Sequence, residues 1–357
     1  MANDKKLKAM EVCASIVGLV SKSCKDGSVI TSESIRNSKI KYQSSGIYAL
    51  DDAISKGRGI PKGKLIEVFG PESCGKSHFL YSVCKQVQAR GKIAIIADIE
   101  NRCSSEYLVE EIGLDPDLLI VIKNQTCNAL FDSMIDDGYL NNPAVGVVGL
   151  DSIAAVLTDQ EMKGDVSDAN IGAQARLVTR FVNRATKVQT NEDAPTIIAV
   201  NQLRDNVGAL YGPDYKVPGG RALKFLGSVR MKMKRTEKLE GKDGQPIGQN
   251  VEFEIVKNSV GIPNTDTEVK LLFGKGYSNL EVFVEMFFKN KRKFEFQLTE
   301  KDYLFRSKDE FENWLYTNPK LSEKLWRNLR FPKLDSPNVD VDASTEQLSK
   351  EEEEIPL

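Results

Sequence analysis

A chain of 357 residues, 41% of them hydrophobic, is long enough to bury one sizeable core and a small satellite domain. The formal net charge is −2, and the single histidine, His78, excludes a histidine-based metal cluster or a Ser/His/Asp triad. No apolar run approaches the length of a membrane span, the start is charged, and the cysteines at 13, 24, 74, 84, 103 and 127 show no C-x-x-C spacing; a cytoplasmic protein with reduced thiols and no membrane partner is expected.

Residues 5–22 read as an amphipathic helix, with Leu7, Met10, Val12, Ile16 and Val20 apolar among lysines and small residues. From pattern alone such a helix packs on its own core. Gly27 ends it, and Val29-Ile30 fits a short edge strand. From residue 64 the chain alternates apolar strands, at 65–69, 93–97, 118–122, 145–150 and 196–200, with helix-length segments near 76–90, 105–113, 127–136 and 170–190. That alternation predicts an α/β fold, a mostly parallel sheet covered by helices on both faces. In 251–256, Val251, Phe253 and Ile255 alternate with Glu252 and Glu254, the period of a half-exposed strand, expected antiparallel at the sheet edge with 229–234 and 268–273 as neighbours. Beyond 280 the texture turns aromatic and charged, with helices expected over 308–316 and 320–329. The boundaries read as 1–40, a core over 41–278, a small α/β domain over 279–333 and a tail over 334–357. Residues 335–357 carry eight acids against Lys350 alone, which leaves 48 basic and 43 acidic residues in the body. The tail is either a solvating disordered segment or a nucleic-acid mimic competing for the body's basic surface.

The most specific motif is Gly70-Pro71-Glu72-Ser73-Cys74-Gly75-Lys76-Ser77, a complete G-x-x-x-x-G-K-[ST] loop between a strand and a helix, with His78 counted in the same binding stretch. Its backbone N–H groups are suited to cradling phosphates, Lys76 to a charge between the β and γ phosphates, and Ser77 to ligating magnesium. Asp151, closing the run VGVVGL, fits either the magnesium shell or a helix cap. Glu100, after the strand 93–97, stands where a carboxylate can orient and deprotonate a water. ATP and Mg2+ are the expected cofactors.

These residues resemble the RecA family. GPESCGKS is similar to the signature GPESSGKT, and the likeness continues collinearly through ADIE (97–100), GLDSIAA (149–155), NIGAQAR (170–176), NQLR (201–204), PGGRALKF (218–225), SVR (228–230) and VKN (256–258). It covers roughly 45–275 well and the flanks more loosely; the divergence elsewhere points to a phage-encoded or otherwise distant member. The resemblance implies a RecA-type ATPase core with an N-terminal helix and strand arm that drives polymerisation, reversing the self-packing preference above. It makes Glu100 the catalytic glutamate and Tyr107 the aromatic that stacks on adenine; from the residues alone Tyr107 is equally a core position of the helix 105–113. Gln202 becomes the sensor of the γ-phosphate, where Asn201-Gln202 otherwise reads as strand-end capping. Lys224 and Phe225 map to a subunit interface.

The family likeness further implies two loops facing DNA. The first, about 162–171, is acidic, and Arg176 beyond it is its phosphate partner. The second, 203–220, offers Arg204, Lys216, an apolar Val207, and Gly219 and Gly220, whose N–H groups can approach a phosphate closely. The implied partners are single-stranded DNA, homologous double-stranded DNA, a single-strand-binding protein, and further copies of the chain in a helical filament. The implied activity is DNA-dependent ATP hydrolysis coupled to homologous pairing and strand exchange. Two departures stand out: the family's K-N-K lysine pair is Lys257 and Ser259 here, and its adenine-contacting Asp is Ser104. A hexameric helicase or translocase would share the phosphate loop but lack PGGRALKF. A non-exchanging accessory filament protein draws its support from Ser259.

Overall fold

The computed structural model describes residues 9–17, 40–123, 126–163, 172–189, 193–205, 215–288, 293–298 and 301–331. They divide into two compact units, residues 1–41 and 42–357. In the first, residues 9–17 are helical. The remainder of the helix expected over 5–22, the strand at Val29-Ile30, residues 164–171 of the first loop, Val207 and the acidic tail lie outside the described residues.

The second unit is built on a sheet of nine strands: β1 (Leu65–Gly70), β2 (Ile93–Asp98), β3 (Leu119–Ile122), β4 (Val145–Asp151), β5 (Thr196–Gln202), β6 (Val229–Glu240), β7 (Pro246–Asn258), β8 (Thr265–Leu272) and β9 (Gly276–Tyr277). Their order is β9-β8-β7-β6-β1-β5-β4-β2-β3. The strands from β6 to β3 run parallel, and β7, β8 and β9 are added antiparallel. The fold is therefore α/β with a mostly parallel sheet, as the strand and helix alternation predicts.

Side chains alternate across a strand, so each apolar run feeds two cores. Ile66, Val68, Ile96, Ile198 and Val200 join one cluster with α1 (Tyr48–Ser55) and α2 (Lys76–Gln88). Leu65, Ile95, Ala97, Val148 and Ala199 join another with α3 (Cys127–Asp136) and α4 (Ala173–Val188). Burying both faces leaves β1 without an exposed residue.

The strand around 251–256 is antiparallel but not at the edge. β8 covers its far side, and Val251, Phe253 and Ile255 are fully buried. The half-exposed period arises because one face carries Glu252 and Glu254, not because a flank is open. The helix expected over 105–113 runs over 105–111, widening into a π-helical turn at Tyr107–Glu111, of which only Leu108 is buried.

A third cluster gathers Phe283, Phe294, Phe311, Leu315 and Trp326 from α5 (Leu280–Met286), the hairpin Phe294–Leu298/Lys301–Phe305, α6 (Lys308–Thr317) and α7 (Pro319–Arg330). Tyr48 of α1 enters it, stacking on Trp326 at 5.2 Å between ring centroids, and its hydroxyl lies 3.1 Å from Ser322 Oγ. A salt bridge of Arg90 to Glu323 fixes the same lobe against the end of α2.

Candidate functional site

The phosphate loop leaves β1 at its buried C-terminal end and turns into α2 within five residues. Two glycines make this possible. A Cβ on Gly70 would strike the carbonyl of Met233 on β6. Gly75 sits at φ +96°, and a Cβ there would lie 2.7 Å from the Tyr277 hydroxyl, which itself donates to Gly75 O. Lys76 is buried and folds back on the loop, its Nζ donating to Gly70 O at 3.0 Å and to Pro71 O. Gly70 O also accepts from Leu203 N at 3.1 Å, which joins the phosphate loop to the start of the segment 203–220.

Three carboxylates stand at the adjacent C-terminal ends of β2 and β4. Asp151 Oδ2 accepts from Ser77 Oγ at 2.6 Å, so the helix-cap reading of Asp151 gives way to contact across the site. Burial pushes the Asp151 carboxyl up to about 6, the Ser77 hydrogen bond opposes this, and the charges of Glu100 and Asp98 add to it. A divalent cation relieves both the burial and the repulsion. The oxygen pair Ser77 and Asp151 fits magnesium, which takes few protein ligands and completes its shell with phosphate and water.

Asp98 is buried and accepts from the backbone N–H groups of Arg102 at 3.0 Å and Cys103 at 2.8 Å, with Lys123 Nζ at 3.4 Å. These bonds pin the turn that carries Glu100. Glu100 Oε1 accepts from Ser152 Oγ and from Gln202 Nε2, the latter at 2.7 Å. Its Oε2 is 3.0 Å from Arg102 Nη1. Gln202 therefore reaches into the site, while Asn201 does the capping: its Oδ1 accepts from Gln202 N at 3.0 Å and its Nδ2 donates to Glu67 and to Pro218 O. Glu67 is buried and held by Arg230, whose guanidinium lies over the Phe69 ring.

Tyr107 is 38% exposed, so it is a surface aromatic and not a core residue. Its hydroxyl is 3.0 Å from His78 Nε2 on α2, and burial lowers the His78 pKa. That contact sets the ring at the rim of the phosphate loop.

In the second loop, Arg204-Asp205 pairs antiparallel with Tyr215-Lys216. Gly219 and Gly220 both take positive φ, and a Cβ on Gly220 would lie 3.2 Å from Ala175 Cβ of α4. Around Gly220, Arg176, Arg180 and Arg221 line one surface hollow with Ala175 and Thr179. Arg180 and Arg221 were not anticipated from the motif blocks, yet two arginines four apart on one helix face are a readable signal. Lys257 Nζ donates to Phe225 O at 2.6 Å and to Lys224 O at 3.3 Å; Phe225 is 66% exposed.

The profile of the RecA N-terminal domain matches residues 11–278. The chain is similar to Protein RecA of Lactobacillus acidophilus, 34% identical over 80% of this chain and 76% of the relative. It is similar to Protein RecA of Staphylococcus epidermidis, 31% identical over 88% of this chain and 89% of the relative. Protein RecA of Mycobacterium marinum is 34% identical over 78% of each chain.

Proposed function

The chain belongs to the RecA family of recombinases, and on that premise we propose that it is an ATPase that forms filaments on single-stranded DNA and drives homologous pairing and strand exchange. The hydrogen bond from Gln202 to Glu100 carries the reading. It joins the group suited to activating water to the strand whose continuation is the DNA-facing loop.

ATP binds on the loop Gly70–Ser77, with His78 and Tyr107 on the side of the base. Ser77 and Asp151 would hold magnesium, which would supply charge neutralisation for the phosphates. Glu100 takes a proton from the attacking water, the new bond forms between that oxygen and the γ-phosphorus, and the bond to the ADP oxygen breaks. An amide at 202 can donate either to a phosphate oxygen or to Glu100, so loss of the γ-phosphate returns Gln202 to Glu100 and relaxes the loop 203–220. Arg176, Arg204, Gly219 and Gly220 hold the DNA backbone, Val207 separates bases, and Lys257, Lys224 and Phe225 face the neighbouring subunit. Residues 1–40 act as the polymerisation arm and 279–333 as a small C-terminal domain.

ATP hydrolysis with and without single-stranded DNA, for wild type and Glu100→Gln, with filaments viewed by electron microscopy, tests the reading. DNA-stimulated turnover that Glu100→Gln abolishes, with filaments persisting, is the expected result. Closed rings, or turnover indifferent to DNA, would favour a motor. Ser259, standing where the family likeness implies a second lysine, favours one other reading, an accessory filament protein that binds ATP without exchanging strands. A strand-exchange assay on the same samples separates the two.

A further inference from the structure

We propose that Arg102 is a catalytic residue acting in cis, its guanidinium binding the terminal phosphate of ATP while it remains paired with Glu100. The inference rests on the ATPase reading above and adds a group to it.

Asp98, Glu100 and Asp151 put three carboxylates where a polyphosphate must enter. A base in that position is repelled by the phosphate it serves unless a cation lies between them. Two lysines lie near the carboxylates, and neither reaches Glu100. Lys76 belongs to the phosphate loop, where its charge is expected between the β and γ phosphates, and Lys123 is held by Asp98 and by Cys103 O.

Arg102 differs. Asn101 takes a left-handed conformation at φ 54°, which reverses the chain between Glu100 and Arg102. Asp98 then anchors the Arg102 and Cys103 N–H groups. The backbone around Arg102 is thus fixed from a buried carboxylate. Its Nη1 sits 3.0 Å from Glu100 Oε2, yet the side chain is 72% exposed while Glu100 is 12% exposed. Among the described residues the guanidinium's other N–H groups have no acceptor. A planar fork can hold a carboxylate on one edge and a phosphate oxygen on the other, which a lysine cannot do. As the water's proton passes to Glu100 and the bond to ADP breaks, negative charge moves onto the phosphate oxygens that this free edge faces.

Steady-state ATP hydrolysis with saturating single-stranded DNA, for wild type, Glu100→Gln, Arg102→Ala and Arg102→Lys, tests the proposal. Melting curves establish folding; truncating so exposed a side chain leaves the core intact. The expected result is a loss of at least about 100-fold in kcat for Arg102→Ala with KM changed by less than about threefold, since arginines acting on a transferring phosphoryl group are worth that or more. Arg102→Lys is expected to fall between, and added guanidinium at low concentration to restore part of the Arg102→Ala rate. ADP with aluminium fluoride should bind Arg102→Ala more weakly, with ADP affinity kept. A kcat for Arg102→Ala equal to or above wild type overturns the proposal while leaving the ATPase reading in place. Hydrolysis that is absent in wild type, or indifferent to Glu100→Gln, overturns the ATPase reading and the proposal with it.

Discussion

Gln202 Nε2 donates to Glu100 Oε1 across 2.7 Å, joining the ends of two strands that are not neighbours in the sheet. β4 lies between them, and Ser152, which follows it, adds a second donor to the same oxygen. Glu100 is thus aimed from two directions, and removing Gln202 leaves it with a looser orientation. Gln202→Ala is expected to lower DNA-stimulated kcat by between about 10- and 100-fold with nucleotide affinity kept. Gln202→Glu, which sets two carboxylates against each other, is expected to be worse. Stopped-time phosphate release for both variants, with and without single-stranded DNA, checks this. A Gln202→Ala enzyme that retains full stimulation would separate the contact from the coupling.

Gly219 stands at φ +88°, and a Cβ there would lie 2.7 Å from Ile153 Cγ2 and 3.3 Å from Leu223 Cδ1. Ile153 follows Asp151 and Ser152, so this glycine packs the proposed DNA-binding loop directly against the segment that leaves Asp151. Gly219→Ala therefore costs on the order of 1–3 kcal/mol of backbone strain, and the Cβ collision adds to it. The expectation is weakened binding of fluorescent single-stranded DNA by about tenfold or more, with binding of a fluorescent ATP analogue nearly unchanged. Equal losses of both ligands would mean that the variant disturbs the core instead.

Much of this architecture is legible in the chain. Strands buried on both faces must be apolar throughout, so β1, β2, β4 and β5 announce themselves. The phosphate loop does so too, because its two glycines are forced by close approach. What escapes sequence is contact between elements far apart in the chain. Nothing in ADIE shows that Arg102 turns back onto Glu100, because the turn depends on Asp98 gathering two N–H groups and on Asn101 reversing direction. The neighbours expected for 251–256, the segments 229–234 and 268–273, are the ones it has, and only its place at the edge differs. Alternation reports one exposed face and does not say how far a strand lies from the end of its sheet.

Asp51 gives a stability prediction with a definite sign. It is buried, and it accepts from Ser44 Oγ at 2.7 Å, Ser45 N at 3.0 Å and Ser45 Oγ at 2.6 Å, with burial pushing its carboxyl up to about 6 in spite of them. The folded chain thus keeps a proton that the unfolded chain releases near the ordinary value. Its stabilising contribution is complete below about pH 4 and is lost as pH rises through about 6, by up to about 3 kcal/mol. In urea unfolding, the advantage of wild type over Asp51→Asn should be larger at about pH 4.5 than at about pH 7.5. An advantage that grows with pH would mean that the serine donors outweigh burial.

If Ser259 leaves the intersubunit side of the site short of one cation, as the family likeness implies, restoring it should matter most where another cation is missing. Ser259→Lys is expected to raise kcat only a few-fold in the wild-type background but by about tenfold or more in Arg102→Ala. Measuring the four corners of this double-mutant cycle gives the coupling directly. Strict additivity would place the two positions in separate roles.

The hollow around Gly220 supplies the last prediction. Arg176, Arg180 and Arg221 converge there from α4 and from the loop's exit. Arg184, one turn further along α4, is instead tied to Asp132 and Asp136 of α3. The first three are therefore available to phosphates, and the fourth is committed to packing. Each phosphate contact removed should lower the slope of log affinity against log salt by about one. Arg180→Ala and Arg221→Ala are expected to do so singly and additively, with little dependence on base composition. Arg184→Ala is expected to leave the slope alone and to reduce thermal stability slightly. A salt titration of single-stranded DNA binding across the three variants decides it. A slope unchanged by Arg180→Ala and Arg221→Ala would move the DNA path away from this face of α4 and leave Gly220 without a phosphate to approach.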